Sequence, residues 1–390
     1  MTSAIKILLL SLLLASCSGI RIDRAFRAGP NDWTLYGGSP ARANIAAVSL
    51  KPPFEEVWEY NALAGIAASP LVRDSMVVIA TLNSEIQVVN LTTGKRLGYV
   101  ALESAIAGTP ALDGDGAIVP VAGGDVTLVS LSLRNSSERN WSIDLGPIES
   151  SPLLFDDAVY VTTMEGIAYC LKKKDGSEVW KYATGTDERR TPQRGTPPWG
   201  KPVRSSPATD GQSIFFGSDD GNLYALEKAS GSLKWKFNAG APMFSTPVVS
   251  GKNVFVGTLG GVFYCIDAST GAMRWQYDAG APIYGSAAAN AQTAFVGASD
   301  GSCHAIDLAT GKRVWKFQTK SGVNSAPLVA GELLYWGSMD RTLYVLDAQS
   351  GNEIWKYDAL GRIKVPPVIW GEFLLVTSED KYIVALRPTL

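Results

Sequence analysis

Ile266-Asp267-Ala268-Ser269-Thr270-Gly271-Ala272-Met273-Arg274-Trp275 recurs forty residues later as Ile306-Asp307-Leu308-Ala309-Thr310-Gly311-Lys312-Arg313-Val314-Trp315. It returns again as Leu346-Asp347-Ala348-Gln349-Ser350-Gly351-Asn352-Glu353-Ile354-Trp355. A fixed period of this length marks a repeat architecture. Aligned on tryptophan, the chain gives Trp58, Trp141, Trp180, Trp235, Trp275, Trp315 and Trp355, with intervals of 55, 40, 40 and 40 residues after Trp180. Gly98 stands in the slot left open between Trp58 and Trp141. A second marker falls about twelve residues after each slot: Ser69-Pro70, Thr109-Pro110, Ser151-Pro152, Ser206-Pro207, Thr246-Pro247, Ser286-Ala287, Ala326-Pro327 and Pro366-Pro367. The two markers are independent, and both count eight.

Within a unit the apolar residues alternate, as in Asn253-Val254-Phe255-Val256-Gly257 and Gly261-Val262-Phe263-Tyr264-Cys265-Ile266. That period predicts strands of about five residues. Glu165-Gly166, Asp220-Gly221, Gly260-Gly261 and Asp300-Gly301 separate the second and third strands and accept the positive φ of a tight hairpin. Four short antiparallel strands per repeat make one blade. The expected fold is therefore an all-β, eight-bladed propeller with almost no helix. The last unit ends at Ile383-Val384-Ala385-Leu386 without a tryptophan strand, whereas Val57-Trp58-Glu59-Tyr60 is such a strand with no blade before it. Pairing the two completes the eighth blade from both ends of the chain and removes two open strand edges.

The chain has 390 residues, with 35 Lys and Arg against 37 Asp and Glu, so it carries no basic footprint for nucleic acid. One histidine, His304, leaves no material for His-rich zinc sites, H-E-x-x-H helices or redundant Ser-His-Asp triads. Cys17, Cys170, Cys265 and Cys303 form no C-x-x-C pair. Met1 to Lys6 followed by the apolar Ile7 to Leu14 reads as a secretory signal too short to span a bilayer. It ends in Leu14-Ala15-Ser16-Cys17, which resembles the bacterial lipobox, and acyl chains on Cys17 would hold the protein at a membrane. Ser18 stands where an Asp would favour the inner membrane in enteric bacteria, which favours the outer membrane. The expected organisation is a signal peptide over 1–16, an anchor linker and lead-in over 17–52, and the propeller over 53–390.

The Asp-x-x-Thr-Gly-x-x-x-Trp stretches resemble the tryptophan-docking repeat of propellers of the pyrroloquinoline quinone (PQQ) type over roughly residues 53 to 390. Asp32-Trp33-Thr34-Leu35-Tyr36-Gly37-Gly38-Ser39-Pro40 resembles the lead-in of many such proteins. The resemblance implies that Trp58, Trp141, Trp180, Trp235, Trp275, Trp315 and Trp355 are structural, each docking one blade on the next. Burial of about 150 to 250 Å² per indole is worth roughly 4 to 6 kcal/mol before entropy is subtracted. Two kinds of protein share these blades. PQQ-dependent dehydrogenases are typically longer, often hold the quinone beside a disulfide of adjacent cysteines, and bind calcium. No two cysteines are adjacent here, and no calcium set can be assembled by motif. The other kind, outer-membrane protein assembly lipoproteins of the BamB type, has a lipobox, eight blades, nearly this length and no cofactor. That resemblance implies a non-enzymatic scaffold on the periplasmic face of the outer membrane, bound by its lipid anchor. Its implied protein partner is the barrel-assembly machinery, and PQQ and calcium are not expected. A quinone-dependent dehydrogenase and a ligand-sensing propeller are the alternatives.

Cys170 and Cys265 share a strand slot with Ala225, Ala305 and Val345, and His304 takes a slot held elsewhere by Tyr169, Tyr224, Tyr264 and Tyr344. These read as structural positions. Three residues before each Pro marker lies the slot where the innermost strand begins at the channel mouth. Round the ring it holds Ala67, Ala107, Glu149, Arg204, Phe244, Tyr284, Asn324 and Lys364. The last six alternate polar and aromatic groups as a small-ligand site would. A hydrated rim without a ligand would carry polar residues as well. The long insertion, 183–203, holds Asp187, Glu188, Arg189, Arg190, Arg194 and Trp199. A charged, aperiodic loop bearing a tryptophan suits a protein partner.

Overall fold

The computed structural model describes residues 19–20, 22, 24–135, 139–185 and 200–389. Cys17 and the signal peptide lie outside the described residues, as do Asp187, Glu188, Arg189, Arg190, Arg194 and Trp199. The described residues form eight four-stranded antiparallel sheets and no helix. Blades 1 to 7 are residues 71–101, 111–143, 153–183, 208–238, 248–278, 288–318 and 328–358. Blade 8 combines 368–388 with the strand Phe54–Asn61, which pairs with Tyr382–Pro388 so that Trp58 faces Ala385.

Blade 5 shows why the repeat folds this way. Its strands are Val248–Ser250, Asn253–Gly257, Val262–Asp267 and Met273–Asp278, counted outward from the axis. The second and third strands are buried on both faces, because each sheet is sandwiched between two neighbours. The outermost strand is mostly exposed, and Trp275 is its inward anchor. Six of the seven indoles donate Nε1–H to a carbonyl of the following blade; Trp235 reaches Ala268 at 3.0 Å and Trp315 reaches Ala348 at 3.0 Å. The ring lies over a turn glycine of that blade. At Gly271, whose φ is +74°, a Cβ would come within 2.7 Å of Trp235, so the position needs Gly both for its backbone and for the indole. Trp355 instead meets Phe54 edge-on at 5.1 Å.

The Ser/Thr-Pro marker is a clasp between innermost strands. The backbone N–H of Ser69 donates to Thr109 Oγ1, Thr109 N–H to Ser151 Oγ, Ser151 N–H to Ser206 Oγ, Ser206 N–H to Thr246 Oγ1 and Thr246 N–H to Ser286 Oγ, over 2.8–3.3 Å. The series stops where Ala326 has no hydroxyl to offer.

The described part of 17–52 is bound to the ring along its length. Ile20 is fully buried in the Trp slot that Gly98 leaves open, and a Cβ on Gly98 would sit 2.5 Å from the Gly19 carbonyl. The Ile22 N–H donates to Arg134 O of blade 2 at 3.0 Å, in place of the missing indole N–H. The segment then runs inward over the turns of blades 1 and 2, where Arg24 and the Arg27 N–H bond Asp74 and the Phe26 N–H bonds Asp115. From Asp32 it enters the channel. Trp33 exchanges two backbone bonds with Val72, and the N–H groups of Leu112, Thr209, Val249, Ala289 and Val329 donate to Thr34, Pro40, Ala41, Ala43 and Asn44. The innermost strands face the axis as open edges, and this chain segment satisfies them.

Candidate functional site

The lead-in occupies the channel at the end of the innermost strands, leaving their beginnings as the open mouth. Arg42 is fully buried in the channel and donates to the carbonyls of Tyr36, Ser151, Pro152 and Pro207, the last three on the connections that enter blades 3 and 4. Burial pulls its guanidinium down to about 9, which leaves it protonated at neutral pH. Tyr36 reaches Ser286 Oγ at 3.1 Å, at the level of the clasp.

On the mouth side, the structure brings four of the six sequence-selected rim residues into one chain of contacts. Arg204 Nε lies 3.4 Å from Glu149 Oε2, its Nη1 bonds Asp219, and its guanidinium lies 4.8 Å over the Phe244 ring. Phe244 in turn meets Tyr284 edge-on at 6.2 Å. Burial raises the Asp219 carboxyl, and Arg204 opposes that shift. Lys364 stands apart and joins Arg362 on Glu379, whose carboxyl burial would raise but the two cations hold low. Asn324 joins neither group, and its Oδ1 is buried without a partner, as is Asp219 Oδ1.

Asp219 and Glu379 escaped the sequence reading because they lie in the turns between second and third strands, where acidic residues read as hairpin formers. Three leucines of the same face were missed as well. Leu63, Leu82 and Leu360 are 71, 45 and 52% exposed on the connections around blades 7, 8 and 1. Leu63 also holds φ +65°, a left-handed backbone that a large side chain rarely adopts. Asn61 Oδ1 accepts its N–H at 2.8 Å and fixes it there. The insertion is anchored at this face: Thr184 N–H bonds Gly166 O at 2.9 Å and Val203 N–H bonds Thr163 O at 3.1 Å, so its ends stand beside Arg204.

Glu149, Asp219 and Glu379 are each paired with arginine or lysine, and the orphaned Asp219 Oδ1 and Asn324 Oδ1 lie on blade 4 and on the connection into blade 7. Among the described residues no three His, Cys, Asp or Glu side chains converge as a ligand set. Cys170, Cys265 and Cys303 are buried singly in strands, and burial pushes the first two thiols up to about 11 and about 12.

Closed ring, docked tryptophans and repeat together define a propeller of the PQQ-repeat type. The family described as "Outer membrane protein assembly factor BamB" matches residues 100–182, 184–316 and 299–389, and the chain belongs to that family. It is 24% identical over 239 residues to outer membrane protein assembly factor BamB of Shewanella oneidensis, covering 57% of this chain and 54% of that protein. A stretch of 116 residues, 28% of the chain, is 28% identical to 1-butanol dehydrogenase (cytochrome c) of Thauera butanivorans and covers 16% of it. The chain thus spans about half the length, or less, of these curated relatives. Among solved structures, BamB from Moraxella catarrhalis superposes with a TM-score of 0.71 at 19% identity, over 86% of this chain and 100% of that one. The quinohemoprotein alcohol dehydrogenase of Comamonas testosteroni superposes at 0.78 and 13% identity, over 92 and 81%. Both likenesses are of fold.

Proposed function

We propose that the chain is a non-enzymatic scaffold of outer-membrane β-barrel assembly, lipid-anchored through Cys17 on the periplasmic face, that presents its mouth face to a protein partner. The family match over 100–389 carries this reading. Geometry supports it: the channel is filled by the chain's own lead-in, Glu149, Arg204, Lys364 and Glu379 are ion-paired at the mouth, and the same face carries exposed leucines and the Phe244 and Tyr284 rings. Such a mixture of apolar anchors and a polar surround is what a protein interface uses. The insertion with Asp187, Arg189, Arg190, Arg194 and Trp199 starts and ends on this face and forms part of the proposed contact.

Co-purification from detergent-solubilised membranes tests the reading. Leu63→Asp with Leu360→Asp is expected to reduce recovery of the partner at least tenfold, while Ile354→Asp on the outer wall leaves it unchanged. Replacing 186–200 by a Gly-Ser linker should also lose the partner, and Trp199→Ala alone should cost about 2 kcal/mol of binding. Full recovery with all of these folded variants would refute the assignment. The dehydrogenase reading predicts instead that added PQQ and calcium give a bound chromophore and alcohol-dependent dye reduction; the scaffold gives neither.

A further inference from the structure

The start of the described chain is fixed on the ring, and it is fixed at one place. Ile20 is buried between blades 1 and 2, Ile22 bonds blade 2, and the continuation is tied down as far as the axis. Two peptide steps separate Gly19 from Cys17, a reach of at most about 7 Å. A lipid on Cys17 therefore meets the bilayer within a few ångströms of the outer wall of blades 1 and 2. Around that point the exposed side chains include Arg24, Lys95, Arg96, Leu97, Glu103, Arg134 and Arg139. Asp74, Asp115 and Glu103 pair with Arg24, Arg134 and Arg139. Lys95 and Arg96 have no carboxylate at ion-pair distance among the described residues. Arg96 instead lies over the Tyr99 ring at 5.1 Å, beside the 41% exposed Leu97. The next outer strand, in blade 8, is acidic through Glu55, Glu56 and Glu59. The outer strand of blade 6, with the turn before it, also exposes Lys312, Arg313 and Lys316 with no carboxylate at ion-pair distance among the described residues. It is therefore the point where the chain emerges, and not charge alone, that singles out the wall of blades 1 and 2.

We propose that the outer wall of blades 1 and 2 rests on an anionic phospholipid surface, with Leu97 and the Lys95-Arg96 pair at the headgroups. The placement rests on the lipidation of Cys17 proposed above. The acyl chains supply the attachment and, through the point where the chain leaves the ring, set which wall faces the surface, and Lys95 and Arg96 add about 1 kcal/mol each at the headgroups there. The ring then stands with its mouth face turned along the membrane rather than into it, free for a periplasmic partner.

The test uses the full-length protein, expressed with its own signal and reconstituted into phosphatidylethanolamine and phosphatidylglycerol vesicles carrying a headgroup quencher. Leu97→Cys and Val314→Cys place one fluorophore at exposed outer-strand positions of blades 1 and 6, three blades apart round the ring. The native thiols at 170, 265 and 303 are buried and leave the label to the new cysteine. Quenching at 97 is expected to exceed that at 314 at least fivefold, and Lys95→Glu with Arg96→Glu should reduce the ratio at least twofold. Vesicle-bound protein quenched equally at both positions would overturn the orientation alone. Protein that stays off vesicles and carries no lipid mass on Cys17 would overturn the anchor and the orientation with it.

Discussion

His304 and Arg42 are buried polar residues whose environments make opposite demands. His304 is 1% exposed, with Tyr277 Oη 2.9 Å from Nδ1 and Ser302 Oγ 2.8 Å from Nε2. Burial, helped by the cations of Lys316 and Arg313 and opposed by Asp300, lowers its pKa from 6.5 to about 4. The unfolded chain therefore takes up the proton first, so the stability this site contributes is present above pH 6.5 and is lost as the pH falls through 4. The loss is on the order of 2 kcal/mol by pH 4.5. His304→Phe, which fills the slot with a ring that cannot titrate, should flatten the fall in urea stability between pH 6.5 and 4.5. Identical pH profiles for the two proteins would remove His304 as the cause. Arg42 is the reverse case, a cation whose partners are all neutral carbonyls. Arg42→Met keeps most of the volume but leaves the buried carbonyls of Ser151, Pro152 and Pro207 unpaired, at about 1 to 3 kcal/mol each. A drop of about 3 kcal/mol or more in unfolding free energy is expected, and an undiminished melting temperature would show that water replaces the guanidinium.

Among the elements, strands and turns were legible in the sequence because each repeats eight times and a period of two survives local variation. The gap at Gly98 was legible as an irregularity and not as a cause. Its cause is Ile20, supplied from 78 positions earlier in a segment with no periodicity. The lead-in's route was hidden for a related reason: most of its bonds to the innermost strands run from backbone to backbone, and no side-chain pattern reports them. The rim slots could be read because they keep a fixed distance from the Pro marker. Their partners Asp219 and Glu379 could not, since they come from a different turn. The substitution that tests this account is Gly98→Trp. In the intact chain it collides with Gly19 and Ile20 and should release the start of the lead-in, seen as faster tryptic cleavage at Arg24. In a chain lacking 19–22 the same tryptophan should raise the melting temperature, because its slot is then vacant. Stabilisation in both backgrounds would mean that Ile20 is not the residue filling the slot.

At the scale of the whole molecule the propeller is closed twice, and the two closures can be separated. Round the circumference, Phe54–Asn61 pairs with Tyr382–Pro388 and seals blade 8. Along the axis, the lead-in satisfies the N–H groups of Val72, Leu112, Thr209, Val249, Ala289 and Val329, one from each of six blades. The first closure holds the ends of the ring together, whereas the second ties most of the blades to a common centre, so the second should matter more for local opening than for secondary structure. Removing residues 19–50 keeps Phe54–Asn61 and hence the ring. The β-sheet circular dichroism should therefore persist. The melting temperature should fall by about 5 °C or more, since several hydrogen bonds worth about 1 kcal/mol each are lost and a propeller of this size loses about 1.4 °C per kcal/mol. Hydrogen exchange gives the sharper reading: those six amides should lose protection together, while the amides of the third strands, such as Tyr264 and Tyr344, keep theirs. If the six stay protected after the deletion, the innermost strands are held by the blades alone and the lead-in is a passenger in the channel.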